Sequence, residues 1–279
     1  MLSRRWLINF LLLVLIVIFT YICNRYGVKI GYQPENSITN LKPEDIQTVA
    51  IQTADSNFAL ARKGSQWYFE KPFRWPANSI TLERLISIVN NETESKLTAA
   101  EIDLGPLGLQ FPGAIMTVNN TRILFGATNN IGKRRYIMVG SSVYLLPDLH
   151  LNFITQGIGG LIDRRLLPRS IPINSLKLAG LSLGKNEDGE WHSNTSGNVE
   201  VDRFNRLINN WQTLEAGSIK IYNENEIPLQ EIVAGLEDGS QFEFYLMSIK
   251  PELVIARPDL GLQYHFDEKQ YYDFLSITH

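Results

Sequence analysis

The pattern that most restricts how this chain can fold is one that it carries twice. Trp67 closes a strand-turn-strand pattern made of residues 58–62, the turn Lys63-Gly64-Ser65 and residues 66–69. Trp191, 124 residues on, does the same after residues 181–184 and the turn Asn186-Glu187-Asp188-Gly189. A loop and an amphipathic helix follow each time. Leu82, Leu85, Ile86 and Val89 form the apolar stripe of the first helix, and Phe204, Leu207, Ile208 and Trp211 that of the second. Spacing of i, i+3, i+4, i+7 places such residues on one helical face, so each helix needs a partner surface to cover it.

That surface is supplied by the segments that follow. Residues 115–118 and 122–125 flank the turn Asn119-Asn120, and residues 136–139 and 143–146 flank Gly140-Ser141. In the second copy residues 230–236 and 241–247 flank Asp238-Gly239, with residues 253–256 and 263–266 after them. Asn-Asn and Asp-Gly accept the positive φ of a tight hairpin, so both stretches read as antiparallel meanders. The expected fold class is α+β: one N-terminal transmembrane helix, then two tandem similar modules, each a mostly antiparallel sheet with an amphipathic helix. The expected divisions are an anchor with its flanks at 1–30, a first module at 31–160, a junction at 161–172 and a second module at 173–279. Gly157-Ile158-Gly159-Gly160, Pro168 and Pro172 mark the junction, and the glycine run reads as a flexible joint.

The anchor rests on residues 6–23, whose clearly polar members are Asn9 and Thr20. As a helix, 18 residues rise roughly 27 Å, close to the hydrocarbon thickness of a bilayer. A cleaved signal would carry a small-x-small pair before the cut, and Phe19-Thr20-Tyr21-Ile22-Cys23 has none. Arg4 and Arg5 favour a cytoplasmic N-terminus, which puts the folded part on the periplasmic side of a bacterial inner membrane. Beyond residue 30, 22 Lys and Arg stand against 29 Asp and Glu, a balance that argues against nucleic acid as a partner. The single cysteine, Cys23, lies in the anchor, so the folded part has neither a disulfide nor a thiolate metal site.

Motifs that carry chemistry are weak. The segment from Gly126 to Arg134 has five residues between its glycines, where a phosphate loop has four, and Arg134 where that loop has Ser or Thr. It reads as a hairpin loop, and no nucleotide is expected. His150, His192, His265 and His279 show no ligand spacing, and His192 and His265 read as exposed alternate positions of strands. No catalytic, cofactor or metal residue is assigned. Two features could contact a partner or a glycan. One is the aromatic group of Tyr68, Phe73 and Trp75, with Trp67 and Phe69 pointing into the core. The other is the pair Arg164 and Arg165 beside Asp163, which a local ion pair also explains.

Spaced landmarks add a resemblance. They are Trp67, Pro72, Pro76-Ala77, Leu107-Gly108-Leu109, Pro112, Gly126, Tyr136, Val143-Tyr144-Leu145-Leu146 and Asp163-Arg164-Arg165-Leu166-Leu167. Over about residues 45–180 the chain resembles the bacterial family called domain of unknown function 4340. Asn78 departs from that family's pattern, as does Pro106-Leu107, and both positions read as caps or turns. The resemblance implies a single-pass protein with a large extracytoplasmic domain, some members of the family accompanying ABC-type permeases linked to gliding motility. It implies no catalytic residue and no cofactor. The expected function is a non-enzymatic accessory or scaffolding protein docked onto an ABC-type transport or envelope complex. A cell-wall or glycan binding module is the alternative, and an envelope hydrolase with a site between the modules the third.

Overall fold

Both copies of the pattern begin by pairing a strand with the one that follows it, and the order of the remaining pairings makes the fold. The computed structural model describes residues 6, 12–16, 37–93, 95–130, 132–194 and 201–275. The first half contains β1 (Thr48–Thr53), β2 (Asn57–Lys63), β3 (Gln66–Lys71), β4 (Trp75–Pro76) and α1 (Ser79–Ile86). It continues through β5 (Lys96–Thr98), β6 (Ala114–Val118), β7 (Thr121–Asn129), β8 (Arg134–Val139) and β9 (Ser142–Pro147). Two short helices, α2 (Leu151–Thr155) and α3 (Gly157–Leu161), lead to β10 (Ile173–Leu178), β11 (Leu181–Lys185) and β12 (Trp191–Ser193). Then come α4 (Val201–Thr213), β13 (Ser218–Ile221), β14 (Gln230–Leu236), β15 (Gln241–Ser248), β16 (Glu252–Arg257), β17 (Leu262–Asp267) and α5 (Tyr271–Leu275).

The strands form two antiparallel sheets, nine-stranded in the order β4-β3-β2-β1-β6-β7-β8-β9-β5 and eight-stranded in the order β12-β11-β10-β14-β15-β16-β17-β13. Apart from the two-residue β4, the orders coincide position by position. In each, the first strand lies inside the sheet, the helix follows the third hairpin strand, a short strand forms the far edge, and the meander fills the gap. The turns have the conformations their residues permit: Asn119 has φ 50° and Gly239 φ 85°. Asn119 also accepts from the backbone N–H groups of Gln47 (2.9 Å) and Thr48 (3.1 Å), fixing β1 against the hairpin.

Alternation gives the first sheet one apolar face, whereas in the second β16 is buried on both faces from Leu253 to Arg257. Val49, Ile51, Phe58, Leu60, Trp67, Phe69, Met116 and Ile123 are all buried, and Leu82, Leu85 and Ile86 of α1 join the same core. Asn78 caps α1, its side chain accepting from Thr81 N–H at 3.1 Å. The α-helix ends at Ile86 and tightens into a 3-10 turn at Ser87–Asn90, so Val89 reaches the core from that turn. In the second module Trp211 of α4 donates from Nε1 to Phe274 O (2.8 Å) and meets Phe244 and Phe274 edge-on.

Two glycine segments differ from flexible joints. The run at 157–160 is helical, and a Cβ on Gly159 would lie 2.6 Å from the Ile219 carbonyl oxygen of β13. Gly159 lets α3 pack backbone to backbone on β13, Gly157 takes a φ of 59°, and Gly160 lies against Gln156 and the Phe153 carbonyl. Gly126 lies against the turn of Leu107-Gly108-Leu109, whose Leu107 carbonyl accepts from Ala127 N–H at 2.7 Å. A Cβ on Gly126 would overlap that carbonyl and the Leu109 side chain. Residues 126–129 are the end of β7, and Arg134 begins β8. Among the described residues no helix is long and apolar enough to cross a membrane. The span expected at 6–23 falls outside them apart from Trp6 and residues 12–16.

Gly126→Ala is expected to lower stability by about 1–3 kcal/mol through overpacking. Gly184→Ala, whose Cβ would meet nothing within 4 Å, should stay within about 0.5 kcal/mol of the parent. Urea titration of the two variants checks the contrast.

Candidate functional site

The residues between the sheets build a connected strap. Asn78 N–H donates to Leu161 O (2.7 Å) and Asp163 N–H to Pro76 O (3.0 Å), which ties the strap to the first module. Ala216 N–H donates to Arg164 O (2.9 Å), which ties it to the second. Arg165 pairs with Asp163 at 2.7 Å and with Glu215 at 3.4 Å, while Arg164 Nη1 donates to Gly217 O at 3.3 Å. Both guanidinium groups are therefore engaged within the chain.

Beneath the strap lies Arg257, the last residue of β16 and completely buried. Its guanidinium carbon is 4.2 Å from the Trp75 ring centroid, 4.7 Å from that of Phe242 and 5.3 Å from that of Phe244. Nε and Nη2 donate to the Asp259 carboxylate at 2.8 and 2.6 Å, and Nη1 donates to Leu166 O at 2.6 Å. Removing a cation from water costs several kcal/mol, which the bidentate pair, the carbonyl and the ring faces together offset. Trp75 meets Phe242 edge-on at 5.8 Å. The first module, the strap and the second module thus meet on one side chain. The hydroxyl of Tyr264 and Nε1 of Trp75 are buried in this region without a hydrogen-bond partner among the described residues. Burial pushes the Tyr264 hydroxyl well above the ordinary tyrosine range, and the charge of Arg257 opposes the shift.

Next to the strap an open groove of about 650 Å³ is lined by Gly217, Ser218, Glu252, His265, Asp267 and Lys269, among others. Antiparallel register sets Ser218 opposite His265 and Val254 opposite His265 on its other side, so Glu252 shares their face. His265 Nδ1 lies 2.8 Å from Glu252 and its Nε2 lies 3.0 Å from the Gln263 amide nitrogen. That amide can donate only to an unprotonated Nε2, so the ring proton sits on Nδ1 and is given to Glu252. The hydrogen bond from His265 holds the Glu252 carboxyl below its usual value, with loss of hydration opposing and the charge of Lys220 assisting. His265 was expected to be exposed and is instead buried. Its partner comes from a neighbouring strand, and no spacing within the sequence announces that pairing. The pair is one imidazole and one carboxylate, and among the described residues no group of three or more His, Cys, Asp or Glu could hold a metal ion.

His150 lies beyond the end of β9 in the first module and His192 on β12, across the second sheet from β17, so the described histidines do not converge. His279 is outside the described residues. The aromatic group does not make one surface either. Tyr68 faces outward with the Lys63 amine 5.9 Å above its ring, whereas Phe73 packs on Phe69 at 5.8 Å. Trp75 is 6% exposed. β4 turns it inward onto Arg257, which leaves its faces unavailable for stacking on a sugar.

With this geometry in hand, the comparison with known families is informative. A model described as a domain of unknown function, DUF4340, matches residues 67–230. The chain belongs to that family. No curated protein and no solved structure matches it. The DUF4340 match covers Trp75 and Leu166 but stops before Arg257 and Phe242. Several landmarks of DUF4340 touch one another here: Pro76-Ala77 pairs with the strap at Ile162 and Asp163, and Gly126 lies on Leu107-Gly108-Leu109. Their common role in this chain is packing of backbone against backbone.

Arg257→Met keeps the stem and removes the charge, leaving Leu166 O unpaired and the ring faces without a cation. A loss of about 2–4 kcal/mol is expected in urea unfolding, with Arg257→Lys intermediate because it lacks the fork. A second test uses His150, whose Nε2 is 3.0 Å from the Asn91 amide. Burial lowers its pKa from 6.5, with the Arg84 carbonyl and Asp148 opposing. The unfolded chain therefore binds the proton first, and this contribution, intact above about pH 6.5, is lost as pH falls below it. His150→Gln should flatten the fall in urea midpoint between about pH 6.5 and 5.

Proposed function

We propose that this protein is a non-enzymatic, membrane-anchored accessory or scaffolding subunit that docks onto an ABC-type transport or envelope complex. In this reading residues 6–23 span a bacterial inner membrane with the N-terminus in the cytoplasm, and the two modules stand in the periplasm. The modules are tandem copies of one ancestral unit, a reading that the matching strand orders support. The observation that carries the docking role is the exposure of three large apolar side chains at the end of β13 and along its connection to β14. There Ile221 is 83% exposed, Ile227 89% and Leu229 62%. Large apolar side chains left open to solvent along one connection suit a protein contact surface. A tether that confines the domain to the membrane surface raises its effective concentration for a membrane-embedded partner.

The test is cross-linking in intact cells of the native host, followed by isolation of the tagged protein from solubilised membranes and mass spectrometry. A permease or ATPase subunit should be recovered with the parent, and Ile227→Asp with Leu229→Asp should remove it while the variant still accumulates. Recovery of the parent alone, or with wall fragments only, would overturn the reading.

A further inference from the structure

The position at which the chain enters the folded part orients the whole body. Ser37 bridges to Glu92, and Ile38 N–H donates to Asn91 O at 3.1 Å. The Asn91 amide in turn touches His150, so the entry point lies against the segment that leaves β9. Leu149, the residue before His150, is 67% exposed. Register places further residues at the same end of the first sheet. Arg134 pairs with Pro147 at the end of β9, and both Lys133 and Arg134 are exposed. Ala114 pairs with Phe125, so the loop that leads into β6 also opens at this end, and its Phe111 is 85% exposed. The carboxylate nearest these residues, Asp148, is held by Arg135 through bonds of 2.9 and 2.7 Å. Asp55, Glu92 and Asp103 are exposed carboxylates at this end, set in the β1–β2 turn, beside Ser37 and in the loop before β6, where Asp103 accepts from Gly105 N–H at 2.9 Å.

Residues 24–36 separate the span from Ser37. Even fully extended, 13 residues reach no more than about 45 Å. We propose that this end of the first sheet rests on the bilayer, with Phe111 and Leu149 entering the interface and Lys133 and Arg134 meeting lipid phosphates. The proposal rests on the anchor reading given above. Large apolar side chains beside lysine and arginine suit the boundary between headgroups and acyl chains. Because the domain is tethered, a surface too weak to bind vesicles on its own can still dock. The consequence is a defined orientation: this end of the first sheet lies against the membrane, and the β8–β9 turn at its other end points away.

Fluorescence quenching by lipid tests this. The full chain carrying Cys23→Ser and one of Phe111→Cys, Leu149→Cys or Ser141→Cys, the last in the exposed β8–β9 turn at the opposite end of the first sheet, is labelled with bimane. It is then reconstituted in vesicles of phosphatidylethanolamine and phosphatidylglycerol containing phospholipid brominated near the headgroup. Circular dichroism confirms that each exposed substitution leaves the fold intact. Loss of fluorescence at positions 111 and 149 with none at 141 is the expected result, and Lys133→Glu with Arg134→Glu should reduce the loss at 149. If the chain floats with the vesicles and no position is quenched, the docking fails while the anchor stands. Equal quenching at all three positions also overturns the docking. Failure to float overturns the anchor and the docking with it.

Discussion

The contact on which the architecture depends is the guanidinium of Arg257 held among Trp75, Phe242 and Phe244. Each sheet could bury its own helix without it. What neither sheet could do alone is fix its position relative to the other. Arg257 reads three separate parts of the chain at once: the Trp75 face from β4, the Leu166 carbonyl from the strap and the Asp259 carboxylate from its own turn. A lysine could satisfy the charge, but only a planar fork can stack on a ring and bond in its own plane on both sides. The strap adds ordered backbone bonds to each module, so the buried residues of both form one cluster.

This arrangement gives the matching strand orders a functional meaning. Two units of one topology are joined by the backbone bonds of the strap and by the buried guanidinium of Arg257. The groove beside His265 adds a polar recess next to the strap but no assembled reactive group, since the imidazole is engaged by Glu252 and Gln263. The features that stand out on the outside of the molecule are apolar contacts, and those on the inside are packing devices.

Much of the fold was legible in the residues. The residues expected on the helix faces, Leu82, Leu85, Ile86, Phe204, Leu207, Ile208 and Trp211, are all buried, and β14 spans the residues its alternation indicated. Local periodicity and turn chemistry suffice where partners are near in the chain. They fail where partners are far. β1 and β10 went unread because each is completed by a distant strand, Ile51 opposite Met116 and Leu176 opposite Ala234. Trp75 was read as a surface ring because nothing nearby in sequence announces Arg257. The run Gly157-Ile158-Gly159-Gly160 was read as a joint because glycine signals both freedom and close approach, and only the neighbouring Ile219 carbonyl decides between them. The Glu252–His265 pair was hidden for the same reason, being made across strands.

If the junction makes the two sheets one body, they should lose protection together. Hydrogen exchange of the full protein, followed by mass spectrometry in increasing denaturant, reads this directly. The account predicts that peptides from β1, β6 and β7 and peptides from β14, β15 and β16 exchange through the same opening, with the same denaturant dependence. Complete exchange of one sheet while the other stays protected would contradict it, because the modules would then be independent units joined only by a strand.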